Sequence, residues 1–290
     1  MPEVSVIVPN YNHSGFLPKR IESILDQTFQ DFEIILLDDC STDGSVGILE
    51  KYAQNKKVTV FLKNLQNSGS TFSQLKKGAL AASGKYLWIA ESDDWADKYF
   101  LEKTFKEMSP STGIVYTQSY IINDHNEIQY LNTKHTDNID PDKWRSGFHE
   151  KGTTVINSYF ISRNIIPNMS AALIRKADFL EAVENVRLKY LGDWLIYCKI
   201  LLKKDLAYIS EPLNYYRQHS GTVRSRALYN GLREMEYFQL LDFFKKQNVV
   251  QKGRINKQFC ENTKLWIHKA HEIKFSMHLR IACQFVKYLL

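Results

Sequence analysis

Val4-Ser5-Val6-Ile7-Val8-Pro9-Asn10-Tyr11-Asn12 is a β-branched apolar run that stops abruptly in a polar turn. A run of this kind, without polar alternation, reads as a strand buried on both faces. A helix should follow, because Phe16, Leu17, Ile21, Ile24 and Leu25 recur at helical spacing, with Ser14 as the expected cap and Pro18 tolerated in the first turn. The unit then repeats. Phe32 to Leu37 is a second apolar run, ending in Asp38-Asp39-Cys40-Ser41-Thr42-Asp43-Gly44, and a helix is expected near 45–54. A strand at Val58 to Leu62, a helix near 70–82 and a strand at Tyr86 to Ala90 complete the series. Such alternation predicts an α/β fold, a Rossmann-like, mainly parallel sheet flanked by helices. In these sheets ligands bind beyond the carboxyl ends of the strands. The polar clusters after Val8, Leu37 and Ala90 all fall at such ends.

The pattern loosens beyond residue 110. A strand is expected around Ile114 to Ile122, then an irregular polar stretch to about 150, then a possible strand at Asn168 to Ile174. Asp193 opens a helix carrying Trp194, Leu195, Tyr197, Ile200 and Leu201, and two short strands around 206–209 and 213–217 precede Arg217-Gln218-His219. From about 226 the spacing is helical, which divides the chain into 1–225 and a helical C-terminal extension, 226–290.

With 44% hydrophobic and 24% charged residues the chain has a globular composition, so disorder is not expected. Cys40, Cys198, Cys260 and Cys283 lack metal-knuckle or disulfide-framework spacing, which fits a reducing, cytoplasmic setting. Neither a secretion signal nor a membrane-length apolar run is visible. The net charge of +6 suits several anionic partners, but no compact basic-aromatic motif points to nucleic acid.

Chemistry concentrates in Trp88-Ile89-Ala90-Glu91-Ser92-Asp93-Asp94-Trp95, where three carboxylates follow an apolar strand within four positions. Like charges this close raise one another's pKa unless a cation relieves them, so a divalent metal, Mn2+ or Mg2+, is the expected occupant. Helix capping would explain only one of the three. Asp38 and Asp39 could accept hydrogen bonds from a nucleobase or ribose, and an Asx-turn fits the same letters. Pro9, Asn10 and Tyr11 offer a turn, an amide and an aromatic face at that edge, or simply a core tyrosine. Asp193 fits a helix N-cap. Arg217 and His219 supply cationic donors for phosphate or a metal shell, or decorate a surface hairpin. His268, His271 and His278 show no ligand spacing and are expected to face solvent.

These segments resemble the family 2 glycosyltransferases, which have the GT-A fold. The resemblance is carried by Val4 through Asn12, Ser23-Ile24-Leu25-Asp26-Gln27-Thr28-Phe29, Phe32 through Gly44 and Gly84 through Asp94, with Leu191-Gly192-Asp193-Trp194 and Tyr216-Arg217-Gln218-His219 later on. It implies an inverting, metal-dependent transfer of a hexosyl or N-acetylhexosaminyl group from a nucleotide-sugar donor, most often a UDP-sugar, to a saccharide or lipid-linked saccharide acceptor. Surface polysaccharide synthesis is the implied setting. Residues 1–110 would bind the donor and 111–225 the acceptor. By the same resemblance Pro9, Tyr11, Asp38 and Asp39 line the nucleotide pocket, and Asp93, with His219 in support, holds the metal. Glu91 contacts ribose or metal, Asp94 supports the donor sugar, Arg217 meets the phosphates, and Asp193 is the general base. Three positions depart from the pattern: Glu91 replaces an aspartate, Gly192 stands where an acid often precedes the base, and Gln74 stands in place of an arginine. A catalytically impaired nucleotide-sugar-binding subunit is the competing reading. The C-terminal region, apolar and basic, is expected to contact a membrane, a second subunit or the catalytic domain.

Overall fold

The computed structural model describes residues 1–218, 231–269, 273 and 275–289. Among these residues ten strands form one mixed sheet: β1 (Val4–Asn10), β2 (Phe32–Asp38), β3 (Val58–Lys63), β4 (Tyr86–Ile89), β5 (Trp95–Ala96), β6 (Thr112–Ile122), β7 (Ile128–Leu131), β8 (Phe148–Glu150), β9 (Ala172–Arg175) and β10 (Asp205–Arg217). Their order is β3-β2-β1-β4-β9-β6-β10-β5, with β7 added to β6 and β8 to β10. β1 pairs in parallel with both β2 and β4, so the winding reverses at β1. β9 runs antiparallel between β4 and β6 and thereby restores the common direction for β6 and β10. Asn10, Asp38, Ile89, Ile122 and Arg217 therefore end their strands at one edge of the sheet.

The apolar runs lack alternation because both faces are covered. Val4, Val6 and Val8 pack with Leu17, Ile21 and Ile24 of α1 (Leu17–Leu25) and Phe100 of α4 (Phe100–Lys106). Ile7, Ile35 and Leu37 pack on the other side with Phe72, Leu75 and Ala79 of α3 (Thr71–Ala81). Gly78 permits that approach, since a Cβ there would lie 2.7 Å from Ile7 Cγ2. The same layer continues through α7 (Lys176–Val183) and α8 (Gly192–Leu201). α2 (Ser45–Tyr52) covers β2, while α5 (Lys134–Asp137) and α6 (Gly152–Val155) are short pieces in the 123–171 segment.

Several expectations need correction. Ser14 does not cap α1: Phe16 holds the N-cap position, and Ser14 donates its backbone N–H to Asp43. The two short strands expected near 206–209 and 213–217 are one strand, β10, with register shifts around Pro212. Proline lacks the ladder donor, so the strand bulges there rather than ending. His278 does not simply face solvent, because its Nδ1 accepts from the Trp266 indole at 3.0 Å.

Among the described residues three further helices follow, α9 (Leu232–Gln247), α10 (Lys252–His268) and α11 (Phe275–Leu289). Tyr237, Phe238, Leu240, Leu241 and Phe244 of α9 join the core formed by α3, α7 and α8. This region thus packs on the sheet-bearing part of the molecule. The boundary expected near 225 lies outside the described residues. Among the described residues no helix is long and apolar enough to cross a membrane.

Candidate active site

The turn after β4 carries the carboxylates. Its base is fixed by Trp88, whose indole N–H donates to the Ser170 carbonyl at 2.9 Å and whose ring stacks on Phe100 at 4.6 Å. Ser170 also accepts from the Glu91 N–H at 3.0 Å, and its own N–H and hydroxyl reach the Glu91 carboxylate at 3.4 Å. Asp94 is 2% exposed. One of its oxygens accepts from Asn168 Nδ2 at 2.5 Å and the other from the Arg217 backbone N–H at 2.8 Å. Asn168 is oriented in turn by Asn214 at 3.1 Å. Asp93 is the more open of the two aspartates. Ser170, Asn168 and Asn214 come from distant segments and had no signal in the sequence.

Arg217 is 1% exposed and embraces this turn. Its Nε donates to the Asp93 carbonyl at 2.7 Å, Nη2 to Asn126 at 2.5 Å and Nη1 to the Asn123 carbonyl, while the guanidinium lies 4.4 Å over Phe16. It meets protein carbonyls rather than an open phosphate site. His219 lies outside the described residues.

Charge crowding here is severe. Burial, then Asp94, Asp93 and Asp193, push the Glu91 carboxyl up to about 8. Burial and Asp93 push Asp94 upward as well, against Arg20 and the Arg217 hydrogen bond. Arg20, which resembles a surface residue in sequence, is fully buried on α1 with its guanidinium 4.9 Å from the Trp88 ring centroid. It supplies a resident positive charge to the turn. Burial lowers its pKa to about 10, with the three carboxylates opposing that fall. Carboxylates held this far from their ordinary ionisation fit a divalent cation. Among the described residues no three His, Cys, Asp or Glu side chains converge as a protein cage. One or two carboxylates with phosphate and water suffice for a Mg2+-type ion.

At the neighbouring strand ends the carboxylates are engaged by the protein. Asp38, fully buried, accepts from Asn10 Nδ2 and the Ser41 N–H, both at 2.9 Å. Asp39 accepts from Asn64, from the Ser68 N–H and hydroxyl, and from Gln74 Nε2 at 2.6 Å. These pairs hold the β1 and β2 turns together, and Gln74 acts through Asp39. Tyr11 is 48% exposed at the rim, so it is not a core tyrosine, and Pro9 lies just behind it. His13 Nδ1 contacts the Ser92 hydroxyl at 2.8 Å and ties the β1 turn to the carboxylate turn.

Asp193 lies in the first turn of α8, one residue inside the helix, with Leu191 rather than Asp193 as the N-cap. Asn164 Nδ2 donates to its Oδ2 at 3.1 Å, and the Trp194 N–H to its Oδ1 at 2.7 Å. Its charge adds to the upward push on the Glu91 carboxyl, behind burial, Asp94 and Asp93. Gly192 has a steric cause: a Cβ there would meet the Phe72 ring at 2.2 Å. Phe72 occupies the space that an acidic side chain would need.

Acceptor-only side chains crowded at the switch point of a doubly covered sheet, with one further carboxylate at a helix start, can hold a cation against a diphosphate and take a proton nearby. The family profile Glycosyl transferase family 2 matches residues 5–177, and the chain belongs to that family. It is 26% identical over 234 residues to glycosyltransferase GlyG of Streptococcus pneumoniae, covering 76% of this chain and 72% of the relative. Over 109 residues it is 38% identical to the putative teichuronic acid biosynthesis glycosyltransferase TuaG of Bacillus subtilis, covering 37% and 42% of the two chains. In fold it is similar to S. aureus TarS residues 1–349 in complex with UDP-GlcNAc, with a TM-score of 0.68 at 17% identity over 99% of this chain and 80% of that one. The mannosyltransferase PcManGT of Pyrobaculum calidifontis, in complex with GDP-Man and Mn2+, gives 0.60 at 14% identity over 100% and 81%.

Proposed function

We propose that this glycosyltransferase moves one sugar, a hexosyl or N-acetylhexosaminyl group, from a UDP-sugar to a saccharide or lipid-linked acceptor, with inversion, in surface polysaccharide synthesis. The observation that carries this reading is the crowding of Glu91, Asp93 and Asp94 in the one turn after β4, with burial, Asp94, Asp93 and Asp193 all pushing the Glu91 carboxyl up. The nucleotide complex of TarS supports a uridine donor, and the relationship to TuaG supports the polysaccharide setting.

In this reading Pro9 and Tyr11 face the base. Asp38 and Asp39 shape the wall beneath it through the bonds they accept. Asp93 would hold a divalent cation, Mn2+ or Mg2+, with Glu91 contacting ribose or, through water, the metal; the cation would supply positive charge to the departing diphosphate. Asp94 supports the donor sugar, and Arg217 keeps the turn in place. Asp193 takes the proton from the acceptor hydroxyl as the oxygen attacks the anomeric carbon on the face opposite the diphosphate. A single displacement of this kind inverts the anomeric centre. The exposed Leu279 and Val286 of α11, beside Arg280 and Lys287, suit peripheral contact with an anionic membrane carrying the acceptor.

The test is turnover of a panel of nucleotide sugars with and without Mn2+, comparing wild type with Asp193→Asn. Consumption of one donor, lost in the variant with donor binding retained, is expected. Equal rates in the two proteins would remove the base, and binding without turnover in wild type would favour an inactive nucleotide-sugar subunit.

A further inference from the structure

A general base works only when its oxygen is held within hydrogen-bonding reach of the proton it takes. Asp193 sits two residues after Leu191, so the chain entering α8 sets where that carboxylate stands. Three consecutive backbone N–H groups of this entry point at one side chain of α9. Glu236 accepts from Lys189 at 2.7 Å through Oε1, and from Tyr190 and Leu191 at 2.9 Å through Oε2. The Glu236 residue is 2% exposed. Buried carboxylate acceptors of backbone N–H groups make strong, directional bonds, and three in a row fix the path of the chain as well as its position.

The neighbouring residue grips the other support of Asp193. Tyr237 donates its hydroxyl to the Ile161 carbonyl at 2.7 Å and places its ring 5.6 Å from that of Trp194. Ile161 lies three residues before Asn164, the donor to Asp193 Oδ2. Two successive residues of α9 therefore hold both segments that set the Asp193 side chain.

We propose that Glu236 is a positioning residue for transfer, acting through Lys189–Leu191 on Asp193, and that α9 is part of the catalytic unit. The proposal rests on the reading of Asp193 as base. It is tested in the full chain with Glu236→Gln, which keeps the side chain's shape, and with Glu236→Asp, which keeps its charge. Three readouts are taken: amide hydrogen exchange, UDP affinity, and turnover of the donor that wild type consumes. For Glu236→Gln the expectation is faster exchange at Lys189, Tyr190 and Leu191, kcat lower by tenfold or more, and UDP affinity within twofold. Glu236→Asp should recover part of the rate, and Asp193→Asn with Glu236→Gln should be no slower than Asp193→Asn alone. Unchanged exchange at 189–191, or a Glu236→Gln rate within twofold of wild type beside an inactive Asp193→Asn, would overturn the proposal. A normal rate in Asp193→Asn would instead overturn the base assignment.

Discussion

The Arg217 backbone N–H donates to Asp94 Oδ1 at 2.8 Å, joining the end of β10 to the turn after β4 across 123 positions of sequence. The same residue's Nε holds the Asp93 carbonyl. The carboxylate turn is thus a product of the whole sheet and not only of the segment that carries it.

Replacing Arg217 by Met keeps an apolar stem over Phe16 but leaves buried carbonyls without their charged donor. Hydrogen bonds to charged groups contribute about 1.5–3 kcal/mol, and a loss of that order is expected in urea unfolding. Donor affinity should fall as well, because Asp93 loses its backbone anchor. Wild-type stability in Arg217→Met would show that the bracket contributes nothing.

Gly192 and Phe72 should behave as a pair. Gly192→Ala forces a Cβ into the Phe72 ring, so it should lower the melting temperature and displace Asp193. Overpacking of this kind costs about 1–3 kcal/mol. Adding Phe72→Ala should relieve part of the defect, giving a double variant less impaired than the two single effects combined. Additive losses would contradict the steric explanation.

Glu33 is expected to make stability depend on pH at a place far from the chemistry. It accepts from the Ser5 hydroxyl, the Ser83 N–H and hydroxyl, and the Thr59 hydroxyl, at 2.6–2.7 Å. Although burial opposes ionisation, these bonds outweigh it and lower the pKa from 4.5 to about 2. A depressed carboxyl contributes stability above its unfolded value, and that contribution is lost as pH falls through the folded one. Chemical denaturation between pH 5 and pH 2 should therefore show a decline that is shallower in Glu33→Gln. Parallel curves would contradict the assignment.

The first half of the fold was legible because strands covered on both faces leave mostly apolar runs without polar alternation: Val4–Val8, Phe32–Leu37 and Tyr86–Ile89, broken only at Ser5 and Glu33, lie in the strands expected of them. Direction was not legible. Ala172–Arg175 is as apolar as a parallel strand, and only its partners β4 and β6 reveal that it runs backwards. Pro212 made one strand look like two. At the site, the dense acidic cluster stood out, whereas its supports did not. Arg20 and Glu236 look like ordinary charges on helices, and their burial arises from Trp88 and from the chain entering α8, neither close in sequence.

Asp93→Ala should abolish cation-dependent turnover with little change in melting temperature, since Asp93 is the more open aspartate of the turn. General acid–base loss at Asp193 should separately lower the rate by roughly 10²–10⁴-fold. Calorimetric titration with Mn2+ in the presence of UDP would distinguish the two, being weakened by Asp93→Ala and preserved in Asp193→Asn.

The most direct measurement is a crystal structure of the protein with UDP and Mn2+. The expected result is a cation bonded to Asp93 and to diphosphate oxygens, the base beside Tyr11, and Asp193 facing the space beyond the diphosphate. A nucleotide bound elsewhere, or Asp93 turned to bulk solvent with no ligand, would contradict it.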